Sequence, residues 1–183
     1  MLGLQKVTKD LNASTFDCGN QRIQEQIRDS YLATLLREGY AYEVIFKEET
    51  FGQEKIVGYC MVKLVTLQEV QIPPEEQDFY STVYAGRSRE ASAVELTYLA
   101  IDRALQGNGL GTAVLKRLIY RVMEISETLP IRYLVLNALK AKVPFYLNAG
   151  FQPLGEEKMG TQFMYFDCLR DRRALDAYLE EYQ

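Results

Sequence analysis

An α+β domain is the fold class that this sequence predicts, and three stretches carry the prediction. Residues 40–47 and 55–67 are rich in Tyr, Val and Ile and lie on either side of the polar segment 48–54, the pattern of an antiparallel hairpin. Residues 94–101 form a near-continuous apolar run, as a strand buried on both faces does. Residues 109–126 then place Val114, Leu115, Leu118, Ile119, Val122 and Met123 at helical spacing. A length of 183 residues fits a single domain over 1–183 that buries one continuous core, with the core taken as 1–167 and a helical extension over 168–183.

In chain order, residues 4–11 read as a first strand. Asn20 follows as the cap of a helix whose apolar positions Ile23, Ile27, Tyr31, Leu32, Leu35 and Leu36 recur at helical spacing, and which ends near Gly39. Beyond the hairpin the pattern is irregular from 68 to 93, where Pro73 and Pro74 start a short helix and a loop follows. The strand 94–101 and the helix 109–126 are joined by a glycine loop. Pro130 stops that segment, residues 131–136 form another buried strand, and residues 138–149 form a short helix with Gly150 at its C-terminal cap. Residues 151–154 and 162–167 close the domain as an antiparallel pair. In the tail, Leu175, Tyr178, Leu179 and Tyr182 share one face of a helix that packs on the domain or, as a homodimer would have it, on a second subunit.

Composition narrows the chemistry. Nearly half of the residues are apolar, a quarter are charged and the net charge is −4, the balance of an ordinary soluble protein. No apolar run approaches the ~20 residues of a membrane span and no signal peptide opens the chain, so no membrane partner is expected and the cytoplasm is the expected location. Cys18, Cys60 and Cys168 are odd in number and widely spaced, with no histidine beside them, which argues for buried thiols and against a disulfide framework or a metal site. The absence of histidine also removes Ser-His and Cys-His catalysis and leaves carboxylates, tyrosines, lysines and backbone groups to do any chemistry.

The informative stretch runs from Glu95 to Thr112: a buried strand, then Gln106-Gly107-Asn108-Gly109-Leu110-Gly111, then a long helix. Glycines let the backbone approach a ligand with no Cβ in the way, and the free N–H groups at a helix start hold a phosphate or pyrophosphate. A tight strand-to-helix connection would use small residues too. The run lacks the Lys-Ser/Thr ending of a P-loop, and its glycines do not fit the dinucleotide-binding spacing.

The Q-x-x-G-x-G run after Leu99-Ala100-Ile101-Asp102 resembles the acetyl-CoA motif of the GNAT acyltransferases. Downstream, Asn137, Ala141, Phe145, Tyr146, Gly150 and Phe151 resemble the same family's second motif, and the likeness as a whole covers residues 95–151. The resemblance implies a mixed, mostly antiparallel central sheet flanked by helices, with splayed central parallel strands and a C-terminal helix. It also implies acetyl-CoA as the acyl donor, with no metal. Leu99, Ala100 and Ile101 would line the pantetheine arm through their main chains. Asn108, Gly109, Leu110, Gly111 and Thr112 would supply the pyrophosphate donors, Gln106 and Gly107 would shape the turn, and Asn137 would complete the coenzyme site.

Attack on a thioester needs a neutral amine, so a proton acceptor is useful; Glu95 matches the position where some members of the family place a general base, and a solvated glutamate is the plainer alternative. Tyr146 matches the family's general acid for the departing thiolate, against a ring that simply packs beside Phe145 and Phe151. The resemblance implies transfer to a primary amine that the sequence does not identify, with a small molecule or a protein as the expected bearer. The segment Phe16-Asp17-Cys18-Gly19-Asn20 also resembles GNAT toxins that acetylate aminoacyl-tRNA. An acidic chain weighs against a nucleic-acid partner, while Arg87, Arg89 and Arg103 form a small basic group that keeps tRNA open. A coenzyme-binding module without turnover is the third reading.

Overall fold

The structure is a computed structural model that describes residues 2–6, 15–28, 40–48, 54–68, 71, 73 and 90–168. The expected extent of the first strand beyond residue 6, of the first helix beyond residue 28 and of the tail beyond residue 168 lies outside them. So do the hairpin connection, most of the irregular segment 68–89, and Arg87 and Arg89.

The elements are β1 (Leu2–Lys6), α1 (Gln21–Arg28), β2 (Tyr40–Glu48), β3 (Glu54–Gln68), β4 (Glu90–Ile101), α2 (Leu110–Ser126), β5 (Tyr133–Leu139), α3 (Val143–Leu147), β6 (Gln152–Pro153) and β7 (Thr161–Asp167). Among the described residues the strands form one sheet in the order β1-β2-β3-β4-β5-β7-β6. β1–β2, β2–β3, β5–β7 and β6–β7 are antiparallel, whereas β4 and β5 run parallel. That parallel ladder consists of Ala93↔Tyr133, Val94↔Leu134 and Glu95↔Val135, whereas the antiparallel ladder of β5 with β7 runs the whole length from Tyr133 to Leu139. A parallel pair beside antiparallel neighbours is the mixed α+β arrangement that the family resemblance implies.

The chain divides into two compact units, with boundaries that cut β3 after Lys63, β4 after Glu95 and α2 after Leu115. In the first, Asn20 caps α1 as its sequence suggests: the side-chain oxygen accepts from Ile23 N at 3.2 Å, and the carbonyl accepts from Gln24 N at 3.0 Å. Phe16, fully buried, meets Tyr59 edge to face with ring centroids 5.7 Å apart, and the Tyr59 hydroxyl donates to the Ile23 carbonyl. In the second, Leu67, Ala91, Ala93, Tyr133, Val135 and Tyr165 form a packed cluster. Leu118, Ile119, Val122 and Met123 of α2 are buried at the expected helical spacing.

Several boundaries differ from expectation. β4 begins at Glu90 rather than Val94, because Glu90 to Ala93 alternate exposed and buried, a half-buried strand read from the sequence as loop. β5 starts two residues late and runs through Ala138, which is buried in the strand, to Leu139. The following helix is correspondingly short, a 3-10 turn over Lys140–Lys142 and then α3, with Pro144 in its first turn. Cys168, placed by sequence in the tail extension, is tied to β5's entry by its N–H to the Arg132 carbonyl at 2.9 Å. Cys60 and Cys168 are buried as expected; Cys18 is half-exposed, because it lies in the turn before α1.

Candidate active site

β4 leaves the sheet at Asp102, whose N–H donates to the Val57 carbonyl at 2.8 Å. Its buried carboxylate accepts from Ala104 N at 3.1 Å and caps the 3-10 turn Arg103–Leu105. Gln106 then folds its side chain back: Nε2 donates to the carbonyl of Ile101 at 2.8 Å and to that of Cys18 at 3.0 Å. Gln106 therefore braces the turn through its side chain, with the main-chain carbonyls of Ile101 and Cys18 as its acceptors.

Gly107 and Gly109 adopt φ of +82° and +77°, the left-handed region that side chains disfavour. Among the described residues a Cβ on either would meet nothing within 4 Å, so packing among them does not demand glycine at these positions. The Gly109 carbonyl accepts the first helical bond of α2, from Ala113 N at 3.0 Å. The N–H groups of Leu110, Gly111 and Thr112 thus sit in the first turn, with no acceptor one turn back, at the positive end of the helix dipole. Asn108 and Thr112 are exposed, and Leu110 and Gly111 half-buried. On β4, Leu99 is half-buried while Ala100 and Ile101 are buried. Thr97, which shares the alternating face of Leu99, carries a buried Oγ1 with no hydrogen-bond partner among the described residues. Sequence reasoning passed over this hydroxyl, since a threonine in a strand gives no signal of its own.

All of these residues belong to the first unit; Glu95, Asn137 and Tyr146 belong to the second. Glu95 is half-buried, and it stands in mid-strand at the last ladder pair rather than at a strand start. Asn137 is the first exposed position in β5 after four buried ones, opposite Phe163 of β7. Tyr146 lies in α3, which a glycine terminates: Gly150 at φ +91° donates to the Leu147 carbonyl at 3.0 Å, and Phe151 N donates to the Tyr146 carbonyl at 3.1 Å. This Schellman pattern brings the residue after the glycine against the residue that accepts its bond. Accordingly the Tyr146 and Phe151 rings meet edge on at 5.7 Å, with Phe145 on another side at 5.0 Å. The spacing F-Y-x-x-x-G-F is thus a geometric device for holding one tyrosine. Burial pushes the Tyr146 hydroxyl up to about 12, so it keeps its proton throughout the neutral range.

Residues 68–167 match the family described as an acetyltransferase (GNAT) domain, a span that contains every residue named above from β4 to α3. The chain belongs to the GNAT acetyltransferase family. Its reaction is accordingly acyl-CoA-dependent N-acetylation with acetyl-CoA as donor. No match was found among curated protein sequences. Among solved structures, AtaT complexed with acetyl-methionyl-tRNAfMet is similar at 22% identity and a TM-score of 0.78, covering 96% of this chain and 99% of that one. A tyrosine-to-phenylalanine mutant of KacT is similar at 20% identity and a TM-score of 0.79, covering 94% and 98%. A mutant of the AtaT toxin bound to the C-terminus of the antitoxin AtaR and acetyl-CoA is similar at 20% identity and a TM-score of 0.73, covering 95% and 98%. Among the described residues no helix of this acetyltransferase is long and apolar enough to cross a membrane.

Proposed function

We propose that this acetyltransferase moves the acetyl group of acetyl-CoA onto the α-amine of an aminoacyl-tRNA. The observation that carries the reading is the likeness, over nearly the whole of both chains, to AtaT in complex with acetyl-methionyl-tRNAfMet. Amine chemistry favours it too. An α-amine has a pKa of ~7.7–8.0 and is appreciably neutral at physiological pH, whereas a lysine amine at ~10.4 is almost wholly charged. The candidate base on this chain, Glu95, is a weak carboxylate base, and such a base suits the α-amine far better. The net charge of −4 argues the other way, although phosphate contacts depend on local charge rather than on the total; exposed Lys140, at the end of β5, is itself paired with Glu157 at 3.2 Å.

The loop residues fit a diphosphate. Gly109, Leu110, Gly111 and Thr112 offer main-chain N–H groups at a helix start, the positive φ of Gly107 and Gly109 aims that backbone, and the space a Cβ would occupy is open. Leu99, Ala100, Ile101 and Asn137 would line the rest of the coenzyme, with the orphaned Thr97 hydroxyl a further polar contact on the same face of β4. Bound there, acetyl-CoA supplies the activated thioester. Glu95 takes the proton released as the amine attacks, directly or through water. Tyr146 donates a hydrogen bond to charge developing on the departing sulfur. A phenol near 12 is a weaker acid than an ordinary thiol at ~8.5, so its worth lies in holding that charge rather than in complete proton transfer. An antitoxin-like protein partner and a cytoplasmic location accompany this reading.

The test is transfer of labelled acetyl from acetyl-CoA to a panel of charged tRNAs, uncharged tRNA, lysine peptides and polyamines. Label should appear on charged tRNA and leave with the amino acid when the ester is hydrolysed. Label on a peptide or polyamine, with charged tRNA unlabelled, would overturn the acceptor assignment while leaving the acetyltransferase intact.

A further inference from the structure

The tip of the glycine loop is exposed over residues 106–109, and among the described residues nothing lies within 4 Å of the Cβ positions of Gly107 and Gly109. What fixes it is its base, and the ties there reach across the sequence to residues 16–20. Arg103 N donates to the Asp17 carbonyl at 2.7 Å, Asp17 N lies 3.4 Å from Asp102 Oδ2, and Gln106 Nε2 donates to the Cys18 carbonyl at 3.0 Å. The segment is itself well anchored. Phe16 is fully buried against Tyr59, Asp17 Oδ1 accepts from Gly19 N at 2.8 Å, and Asn20 caps α1. Gly19 sits at φ +79°, and a Cβ there would come within 2.9 Å of Arg103 Nη2, so the guanidinium lies directly over its backbone.

We infer that residues 16–20 are the positioning element of the coenzyme loop, with Gln106 as the side chain that couples the two; the inference rests on the proposal that this loop holds the pyrophosphate. Gln106 points no donor at a ligand, because its amide nitrogen is committed to two carbonyls, Ile101 and Cys18, that brace the turn from inside and from outside. An array of N–H donors is useful only if held to within ~0.5 Å, and a loop that is competent for a fraction of the time binds more weakly by that fraction. Without the brace, the N–H groups of residues 107–112 would still exist but would not converge. Sequence position 18 therefore acts through its carbonyl, and position 19 through its lack of a side chain.

Three substitutions test this by calorimetric titration with acetyl-CoA in the absence of an acceptor. Gln106→Glu keeps the length but turns an acceptor toward two carbonyls, and should raise Kd about tenfold. Gly19→Ala, remote from the ligand, should raise it several-fold by displacing the Arg103 guanidinium, and it carries the test if Gln106→Glu does not fold. Gln106→Arg, which has donors only, should return Kd to within about threefold of wild type. The number of sites per mole of total protein should stay constant and kcat at saturating acetyl-CoA should barely move, whereas damage to folding alone would lower that number and leave Kd alone. Wild-type Kd in both Gln106→Glu and Gly19→Ala, while Gly109→Asp loses binding, would overturn the positioning role. Wild-type Kd in Gly109→Asp as well would remove the loop assignment itself, and this inference with it.

Discussion

Residues 102–112 and residues 143–151 are both short, both turn on a left-handed glycine, and are held in opposite ways. The first is polar and exposed: its shape comes from main-chain bonds, the Asp102 cap and the Gln106 brace, and its glycines look out on open space. The second is aromatic: Gly150 has the Phe166 ring only 3.2 Å from where a Cβ would be, and Phe145, Tyr146, Phe151 and Phe166 contact one another ring to ring. The contrast teaches that one glycine can serve a ligand and another the fold. On the proposed reading a side chain at Gly109 is obstructed by what binds, whereas one at Gly150 is obstructed by the Phe166 ring of the protein itself. In the same way, the loop contributes backbone and the aromatic cluster contributes one hydroxyl.

The sharpest way to break the contrast is at that hydroxyl. Tyr146→Phe keeps the ring among Phe145 and Phe151 and should lower kcat by at least ~10-fold, within the ~10²–10⁴ that acid–base and hydrogen-bond help can reach, with acetyl-CoA affinity unchanged. Unfolding free energy should move by no more than ~1 kcal/mol, one hydrogen bond at most. A variant that melts early yet turns over normally per folded molecule would make Tyr146 a packing residue. Glu95→Gln should cost less, about tenfold in turnover at neutral pH, with partial recovery as rising pH deprotonates the amine without help. Full turnover at pH 7 would remove the carboxylate from the mechanism.

Gly150→Ala is expected to destabilise by ~1–3 kcal/mol, from left-handed strain and the crowded Phe166 ring, readable as a lower urea midpoint. The same change at Gly109 carries strain but no clash, so equal destabilisation at the two sites would erase the distinction. A further effect is alkaline and appears only at high pH. Burial pushes Cys60 in the first unit and Tyr146 in the second up to about 12, each above its ordinary value. The folded state therefore holds these protons more tightly than the unfolded chain. Stability from both groups is complete below pH ~9 and is lost as pH rises from there toward 12, Cys60 first and Tyr146 from ~10. Urea midpoints against pH should show that decline, and Tyr146→Phe should flatten its upper part.

Much of this was legible in the sequence. Hydrophobic periodicity located α2, because buried positions 114, 115, 118, 119, 122 and 123 are fixed by the helical repeat, and Gly150-Phe151 located the end of α3. The loop was legible because left-handed backbone at Gly107 and Gly109 demands a residue type that shows in the sequence. Less visible was anything set by pairing. β4 extends back to Glu90 because its alternating half-buried start reads as polar loop, and Glu95 moved from a strand start to mid-strand with it. The ties from Gln106 to Cys18 and from Arg103 to Asp17 join positions far apart in the chain, and carbonyl acceptors leave no mark on residue identity. Asp102 could have been found: an Asp whose carboxylate meets the N–H two residues on is a cap spacing that the sequence displays.

The measurement that bears most directly on the account is made on Gly111, inside the first turn of α2 and at no positive φ. Gly111→Asp should leave the free protein as stable or slightly more so, since glycine is a poor helix former and a carboxylate near a helix N-terminus is worth ~0.3–1 kcal/mol. The same carboxylate would meet a pyrophosphate with like charge at close range. Thermal melts and acetyl-CoA titrations on one preparation should therefore diverge, with an unchanged or raised Tm beside at least a ~100-fold loss of affinity, a difference of about 2.7 kcal/mol. Wild-type affinity in that stable variant would contradict the claim that this loop is where the coenzyme binds.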